Sequence, residues 1–210
     1  MIGKGKFIVI EGLDGSGKTT QTKILTEKLQ KKGITVVNQA EPTPHEFGKM
    51  CREVLSGRKK IRKSQLALLF TLDRIDHNKN SEDGIEQNIN SGNTVISDRY
   101  YYSTLAYQGV DVGMSWLKSL NLDCEDIRRP DLCIFLDLTP EKSMERINAN
   151  RSAEEIEIYE NEEYLANIRK RFYNVIDTLK DRENIAVINA DGSVDEVAAK
   201  IEEAVMPLFD

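Results

Sequence analysis

The chain of 210 residues predicts a three-layer α/β fold, in which helices cover both faces of a five-stranded parallel sheet. Short apolar runs rich in β-branched residues recur along the sequence, and longer stretches with helical spacing lie between them. Strands that are buried on both faces need continuous apolar runs, and parallel strands need long crossover connections, which are usually helices. The length fits one domain spanning 1–210.

The predicted elements alternate in a regular order. The strands are expected at 7–10, 34–37, 94–97, 132–136 and 185–188. Helical patterns cover about 18–32, 47–55 and 64–79. Two later helices are predicted from apolar spacing, one by Leu165, Ile168, Phe172, Val175 and Leu179, the other by Val194, Val197, Ile201, Val205 and Leu208. Ser193 is a candidate N-cap for the last helix.

The composition excludes several classes of protein. The 29 Lys and Arg against 35 Asp and Glu give a net charge of −6, which argues against binding nucleic acid through bulk charge. No apolar run approaches the length of a membrane span, and the start has no signal-peptide core. The three cysteines are widely spaced and odd in number, so a disulfide framework is not expected. We therefore expect a cytoplasmic protein without a membrane or nucleic-acid partner.

A phosphate-binding motif follows the first strand. The segment 12–19 reads Gly-Leu-Asp-Gly-Ser-Gly-Lys-Thr and matches G-x-x-x-x-G-K-[ST]. Its glycines let backbone amides approach phosphate oxygens, Lys18 adds a charge, and Thr19 offers a hydroxyl to Mg²⁺. The candidate ATP-binding residues of this loop are Gly12, Asp14, Gly15, Ser16, Gly17, Lys18, Thr19 and Thr20.

The motif alone does not distinguish a kinase from a GTPase or a mechanical ATPase. A Ras-like GTPase would also carry Asp-x-x-Gly and Asn-Lys-x-Asp motifs, and neither occurs in the sequence. Asp98, Arg99 and Tyr100 directly follow the third strand, at the sheet edge where ligands bind. Asp98 is a candidate to orient Mg²⁺ and Arg99 to hold an acceptor phosphate. An ion pair at the strand end is the alternative interpretation.

Taken together, these residues resemble the thymidylate kinases, a family of P-loop nucleoside monophosphate kinases. The resemblance covers essentially the whole chain. Its motifs are the phosphate loop, Glu41-Pro42, the segment 69–74, Asp98-Arg99-Tyr100 with 103–109, and Tyr159-Glu160. The phosphate loop is shared by many enzymes, whereas the combination in this order is far more specific.

The resemblance implies an acceptor site for dTMP. Phe70 would stack on thymine, Arg74 would bind its O4, Arg99 would hold the phosphate, Asp14 would lie near the 3′-hydroxyl and Tyr107 against the deoxyribose. The other implied substrate-binding residues are Glu41, Pro42, Tyr100, Thr104, Gln108, Glu157 and Tyr159. Spacing alone favours a different interpretation, with Phe70 in the core and Arg74 on the surface, and helix packing is the alternative for Tyr107. The family also predicts a cis bond between Glu41 and Pro42.

The sequence departs from the family in its cations. Ala40 stands where many relatives have arginine, leaving Lys49 and Arg52 as replacements, and Gly15 stands where some relatives place a catalytic arginine. A lid is expected at about 150–160, with Arg151 as its cation. By resemblance, Arg151 joins Lys18 and Arg99 as a catalytic residue, Arg146 is a reserve cation near ATP, and Ser193 flanks adenine. Thr19 and Asp98 are the expected contacts of Mg²⁺.

The implied reaction transfers the γ-phosphoryl group of ATP to dTMP, which yields dTDP and ADP. Three alternatives remain open at this point. A deoxynucleoside kinase would need a carboxylate base just after the first strand, where Glu11 is nearby. Another nucleoside monophosphate kinase would accept a different nucleotide, and a nucleotide-dependent switch would bind a partner protein. The family also implies a homodimer.

Overall fold

The computed structural model describes residues 5–150 and 161–210. Its centre is a sheet of five parallel strands in the order β2-β3-β1-β4-β5. The strands are β1 (Phe7–Gly12), β2 (Val36–Ala40), β3 (Thr94–Asp98), β4 (Leu132–Asp137) and β5 (Ile185–Asn189). The sheet confirms the predicted fold class.

Helices connect the strands and cover both faces of the sheet. They are α1 (Lys18–Lys31), α2 (Glu46–Leu55), α3 (Lys63–Lys79), α4 (Ile85–Asn90), α5 (Tyr101–Val112), α6 (Met114–Leu122), α7 (Pro140–Asn150), α8 (Glu162–Leu179) and α9 (Val194–Val205). A 3₁₀ turn, Met206–Leu208, follows α9. Along the described residues, no helix is long and apolar enough to cross a membrane.

The core lies in two layers on opposite faces of β1. Because side chains alternate along a strand, Phe7 and Val9 pack into one apolar cluster with α3, α5 and α8. Ile8 and Ile10 pack into the other cluster, with α1 and α9. All four side chains are fully buried. The phosphate loop therefore starts from the central and fully buried strand of the sheet.

The second strand begins two residues later and ends three residues later than predicted. It begins at Val36 instead of residue 34, because the chain turns at Gly33, whose φ is 81°, and the Ile34 amide donates to the Leu29 carbonyl. The strand then continues through Asn38 and Gln39. These polar residues are accommodated because β2 is an edge strand.

The two late helices confirm their predicted apolar faces, with one change at the end of the chain. Ser193 caps α9, since its side chain accepts a hydrogen bond from the Glu196 amide. The α-helix ends at Val205 rather than continuing to Leu208, because Pro207 cannot donate the next backbone hydrogen bond. Helices α4 to α7 were not predicted from the sequence.

The Glu41–Pro42 peptide bond is cis, as predicted. The predicted lid at about 150–160, with Arg151, Glu157 and Tyr159, lies outside the described residues.

An ion pair fixes α8 to the end of β4. Arg169 Nε and Nη2 donate to the two Asp137 carboxylate oxygens at 2.7 and 2.8 Å, and the Tyr173 hydroxyl donates at 2.7 Å. Burial by itself would raise the pKa of Asp137, but the hydrogen bonds from Arg169 and Tyr173 outweigh it and hold the pKa below its ordinary value. Folding therefore stabilises the ionised form.

We predict that Asp137→Asn lowers the free energy of unfolding in a pH-dependent way. The depressed pKa makes a contribution that is complete above the unfolded-state pKa of about 3.9 and is lost as the pH falls below it. We expect a loss of about 1 kcal/mol at pH 7, since the pair is partly exposed, and a smaller difference in acid. Urea unfolding at pH 7 and pH 3 measures it. Asp177→Asn, in an exposed pair with Lys180 on the same helix, is the control and should change little at either pH.

Candidate functional site

The phosphate loop joins β1 to α1 and is shaped by glycine. Gly15 and Gly17 have φ values of 77° and 91°, in the left-handed region that favours glycine. Gly17 is the N-cap of α1 and, within the described residues, no side chain caps this helix end. The first amides of α1 are therefore available to an anion, and the helix dipole favours one there.

Lys18 folds back over this loop. Its Nζ donates to the carbonyl oxygens of Gly12 at 3.1 Å and Leu13 at 3.0 Å, and it lies 3.7 Å from the Asp14 carboxylate. The residue is only 7% exposed. Burial lowers the pKa of Lys18, and the charge of Arg99 lowers it further. An arriving phosphate would add negative charge to that already supplied by Asp14, Asp98 and Glu11.

Thr19 and Asp98 meet at the start of α1. The Thr19 hydroxyl donates to Asp98 Oδ2 at 3.0 Å, although the two residues belong to different segments of the chain. Asp98 Oδ1 is buried and has no hydrogen-bond partner in the described part of the chain. A hydroxyl and an unsatisfied carboxylate oxygen at a phosphate loop are donors that suit Mg²⁺, so the predicted metal residues fit that ion.

Arg99 occupies a tight turn after β3. It is a non-glycine residue with φ 71°, so the surrounding contacts must hold it there. Its guanidinium pairs with Asp14, donates to the Ser103 hydroxyl at 3.0 Å and lies 5.5 Å from the centre of the Tyr107 ring. Burial opposes its charge, but Asp14, Tyr107, Glu11 and Asp98 together outweigh this effect and raise the pKa of Arg99. It therefore stays charged beside the phosphate loop.

Arg74 is buried inside the α3 side of the site. It is 1% exposed, so its interpretation as a surface residue is wrong. Nη2 donates to Glu41 Oε2 at 2.5 Å and to Thr104 Oγ1 at 3.2 Å, and Nη1 donates to Asn121 Oδ1 at 2.5 Å. Its Nε is buried and finds no hydrogen-bond partner among the residues described. The Nε donor of this guanidinium is thus unused.

Glu41 connects Arg74 to the neighbouring turn. Its second carboxylate oxygen lies 2.9 Å from His77 Nδ1, and His77 Nε2 lies 3.0 Å from Gln39 Oε1. Nearby, Asp73 accepts hydrogen bonds from the amide and hydroxyl of Thr43, and burial raises its pKa. Glu41 therefore contacts Arg74 and His77 and orients the Arg74 guanidinium, whereas the resemblance implied that Glu41 contacts the substrate.

The other residues predicted to bind the acceptor differ in how deeply they are buried and in what they contact. Phe70 is half-buried and, among the described side chains, is not part of either apolar cluster. Gln108 is half-buried, and the Tyr107 ring also meets Phe172 edge-on at 6.0 Å. Tyr100 is fully buried, and its hydroxyl lies 3.0 Å from both Asn78 Oδ1 and the Arg128 carbonyl. Any substrate contact of Tyr100 therefore falls to its backbone.

On the donor side, α7 packs directly against the phosphate loop. A Cβ at Gly15 would lie 2.7 Å from the Ser143 carbonyl oxygen, so this position has no room for a side chain. Arg146 of α7 donates to the Ala190 carbonyl at 3.1 Å. The Ser193 hydroxyl donates to Glu196 at 2.9 Å and is thus engaged in capping α9.

A cavity of about 670 Å³ opens beside β2. Its lining includes Thr19 and Asp98 together with Pro42 and Arg52. Arg52 comes from α2 and donates to the Pro42 carbonyl at 2.8 Å. Of the two candidates to replace the arginine missing at Ala40, only Arg52 belongs to this lining.

Several residues of the site were not identified from the sequence. Asn121, Ser143 and His77 belong to no motif, and Ser103 and Asp73 have no role assigned to them although they lie in the motif segments 103–109 and 69–74. Asn121 and Ser143 lie in helices whose patterns gave no sign of the site, so only the fold brings them to it. Glu11 did carry a signal, because it is an acidic residue that ends a fully apolar run.

Comparison with known proteins agrees with this geometry. The family model described as thymidylate kinase matches residues 10–201. A protein of Methanococcus aeolicus named "Probable thymidylate kinase" is 38% identical over 205 residues, covering 96% of each chain. One of Thermococcus onnurineus with the same name is 39% identical over 203 residues, covering 91% of this chain and 92% of its own. With its phosphate loop, its Arg99 turn and this similarity along nearly its full length, the chain belongs to the thymidylate kinase family.

Proposed function

We propose that this chain carries out its family's reaction, transfer of the γ-phosphoryl group of ATP to dTMP, at the point where Lys18 and Arg99 converge on Asp14. One cation comes from the phosphate loop and the other from the turn after β3, and both reach the same carboxylate. Two anionic substrates with adjoining phosphates need positive charge from two directions. This convergence is the observation that supports the proposal.

The chemistry needs positioning more than proton transfer. A phosphate oxygen of dTMP attacks the γ-phosphorus, and the bond from that phosphorus to the bridging oxygen breaks, leaving its electrons on ADP. The acceptor oxygen is already anionic, so no strong general base is required. Arg99 would exchange its pairing with Asp14 for the acceptor phosphate, which frees Asp14 for the sugar 3′-hydroxyl. Lys18 would move from the loop carbonyls to the transferred group.

Thr19 and Asp98 would hold the magnesium ion that accompanies ATP. When bound, Mg²⁺ neutralises charge on the β and γ phosphate oxygens. The protein itself holds the Thr19 hydroxyl and the Asp98 carboxylate next to each other, through their 3.0 Å hydrogen bond.

For the acceptor, the base would lie between Phe70 and the buried guanidinium of Arg74. The Nε of Arg74 is an unpaired donor that suits the O4 acceptor of thymine, and the side chains that enclose it would have to move to admit the base. Thr104 and Gln108 would line the same pocket, and Tyr107 would exclude a 2′-hydroxyl. Arg52 would supply the phosphate contact that Ala40 lacks.

For the donor, the remaining assignments rest on the family resemblance. Arg146 and Ser193 would flank the adenine and phosphates of ATP. Arg151 would bring the lid's positive charge to the transferred group, while Glu157 and Tyr159 would contact the acceptor from the lid. All of these residues belong to one proposed kinase domain spanning 1–210.

The state of Glu11 favours a phosphate acceptor over a nucleoside hydroxyl. Its carboxylate accepts hydrogen bonds from the amides of Tyr100 and Ser103 and from the Ser103 hydroxyl. A general base for a hydroxyl would have to abandon these contacts. We expect rapid ADP release with dTMP and almost none with thymidine. Comparable turnover of thymidine would instead support a deoxynucleoside kinase.

We also propose a cytoplasmic homodimer. Leu68 and Leu72 are 41% and 45% exposed and lie one turn apart on α3. Leu55 of α2 and Trp116 of α6 are also exposed, on helices that contact α3. A second copy would cover these apolar side chains. Light scattering should give twice the 23.9 kDa chain mass, and Leu68→Glu should shift it to one chain mass. A wild-type monomer would contradict the proposal.

A further inference from the structure

Glu11 is a buried carboxylate that the reaction as described does not use. It lies in β1, immediately before the first glycine of the phosphate loop, and is 0% exposed. Burial raises its pKa, although Arg99 and the surrounding hydrogen bonds oppose the shift. A charge-bearing group in such a position needs partners that compensate for its removal from water.

Those partners all belong to the segment that carries Arg99. Oε1 accepts from the Tyr100 amide at 2.8 Å and the Ser103 amide at 3.1 Å, and Oε2 accepts from the Ser103 hydroxyl at 2.7 Å. The carboxylate therefore sits at the N-terminus of α5, where backbone amides and the helix dipole favour negative charge.

The Ser103 hydroxyl extends this contact to Arg99. It accepts a hydrogen bond from Arg99 Nη1 at 3.0 Å while it donates one to Glu11. The two hydrogen bonds together connect the guanidinium to the carboxylate. Arg99 also holds the left-handed conformation with φ 71°, which a side-chain-bearing residue keeps only when its neighbours fix it. Glu11 restrains the turn on both sides of that residue, at Tyr100 and through Ser103.

We propose that Glu11 is a positioning residue for the phosphoryl acceptor, acting through the turn and side chain of Arg99. This inference rests on the proposed role of Arg99 in holding the acceptor phosphate. Lys18 is hydrogen-bonded to the Gly12 and Leu13 carbonyls instead and shares only Asp14 with Arg99, so the donor side depends less on these contacts. Loss of Glu11 should therefore weaken one substrate and spare the other.

Steady-state kinetics of Glu11→Gln test this asymmetry. We expect the KM for dTMP to rise about tenfold or more, with the KM for ATP within about twofold of wild type. A purely structural role would only reduce the fraction of folded enzyme, which lowers kcat and leaves both KM values unchanged. Asp131→Asn is the matched control, because Asp131 accepts the Phe7 amide at 2.7 Å at the other end of β1. It should change neither KM.

Ser103→Ala provides a second route if Glu11→Gln folds poorly. This variant removes the hydroxyl that links Arg99 to Glu11, so it should raise the KM for dTMP as Glu11→Gln does. The KM for dTMP of the double variant should be no higher than that of Glu11→Gln alone. Arg99→Lys separates this inference from the proposed function. If Arg99→Lys raises the KM for dTMP while Glu11→Gln and Ser103→Ala leave it unchanged, the role of Glu11 is refuted and that of Arg99 stands. If Arg99→Lys also leaves it unchanged, both fail.

Discussion

Lys18→Ala should lower kcat for ADP release with dTMP by at least about 10²–10³-fold, the scale of losing one transition-state cation. The ammonium sits on the phosphate loop, held by two carbonyl oxygens and close to Asp14. Its buried position lowers its pKa, so it gains most when a phosphate supplies a compensating charge. The side chain contributes contacts to the loop and not to either apolar cluster, so we expect the variant to fold.

Thermal unfolding of the same preparation checks that folding. Lys31→Ala is the matched control, since Lys31 is an exposed lysine in the last turn of the same helix, α1. It should keep wild-type turnover. A folded Lys18→Ala enzyme with near-normal activity would show that the phosphate loop is not the site of transfer.

Arg74→Ala should lower kcat/KM for dTMP strongly and narrow the preference for dTMP over dCMP. Thymine presents O4 as an acceptor, whereas cytosine presents an amino donor at the same place. Arg74 carries only donors, so cytosine would face it with two donors and no acceptor. Sites built on such a hydrogen bond can discriminate by several orders of magnitude.

The structure indicates that Arg74→Ala also lowers the free energy of unfolding. Removing Arg74 leaves the Glu41 carboxylate buried beside His77 alone, and breaking a buried pair destabilises by about 3–5 kcal/mol. The ratio of kcat/KM for dTMP to that for dCMP is the measurement to use, because both values come from the same folded fraction. Phe70→Ala is the control, since loss of stacking should weaken both pyrimidines and keep the ratio. An unchanged ratio in Arg74→Ala would refute Arg74 as the residue that reads the base.

The sheet was predictable because most of its strands are marked by apolar residues that follow one another in the sequence. Continuous apolar runs mark β1 and β4, since a parallel strand buried on both faces needs no polar positions, and β3 keeps Val95 and Ile96 between Thr94 and Ser97. The bounds of the edge strand β2 were harder to predict, because an edge strand is partly exposed to solvent and can contain polar residues such as Asn38 and Gln39. Helix α5 lacked a clear pattern, since its first turn is buried on several sides and includes Tyr101 and Tyr102.

The candidate site was predictable only where a motif fixes the backbone. Glycine spacing locates the phosphate loop, and Asp98 and Arg99 follow a strand that ends at the same edge. The environment of Arg74 was not accessible in this way. Its partner Asn121 is 47 residues away in another helix, so only the folded chain shows that the guanidinium is enclosed.

Coupled ADP release with ATP and Mg²⁺ tests the proposed reaction when it is measured across a panel of acceptors, namely dTMP, dUMP, dCMP, dGMP, AMP and thymidine. We expect that turnover requires a nucleoside monophosphate and that kcat/KM is highest for dTMP, far above that for dCMP and thymidine. A higher kcat/KM for a purine monophosphate or for thymidine, or ADP release that does not depend on any acceptor, would contradict it.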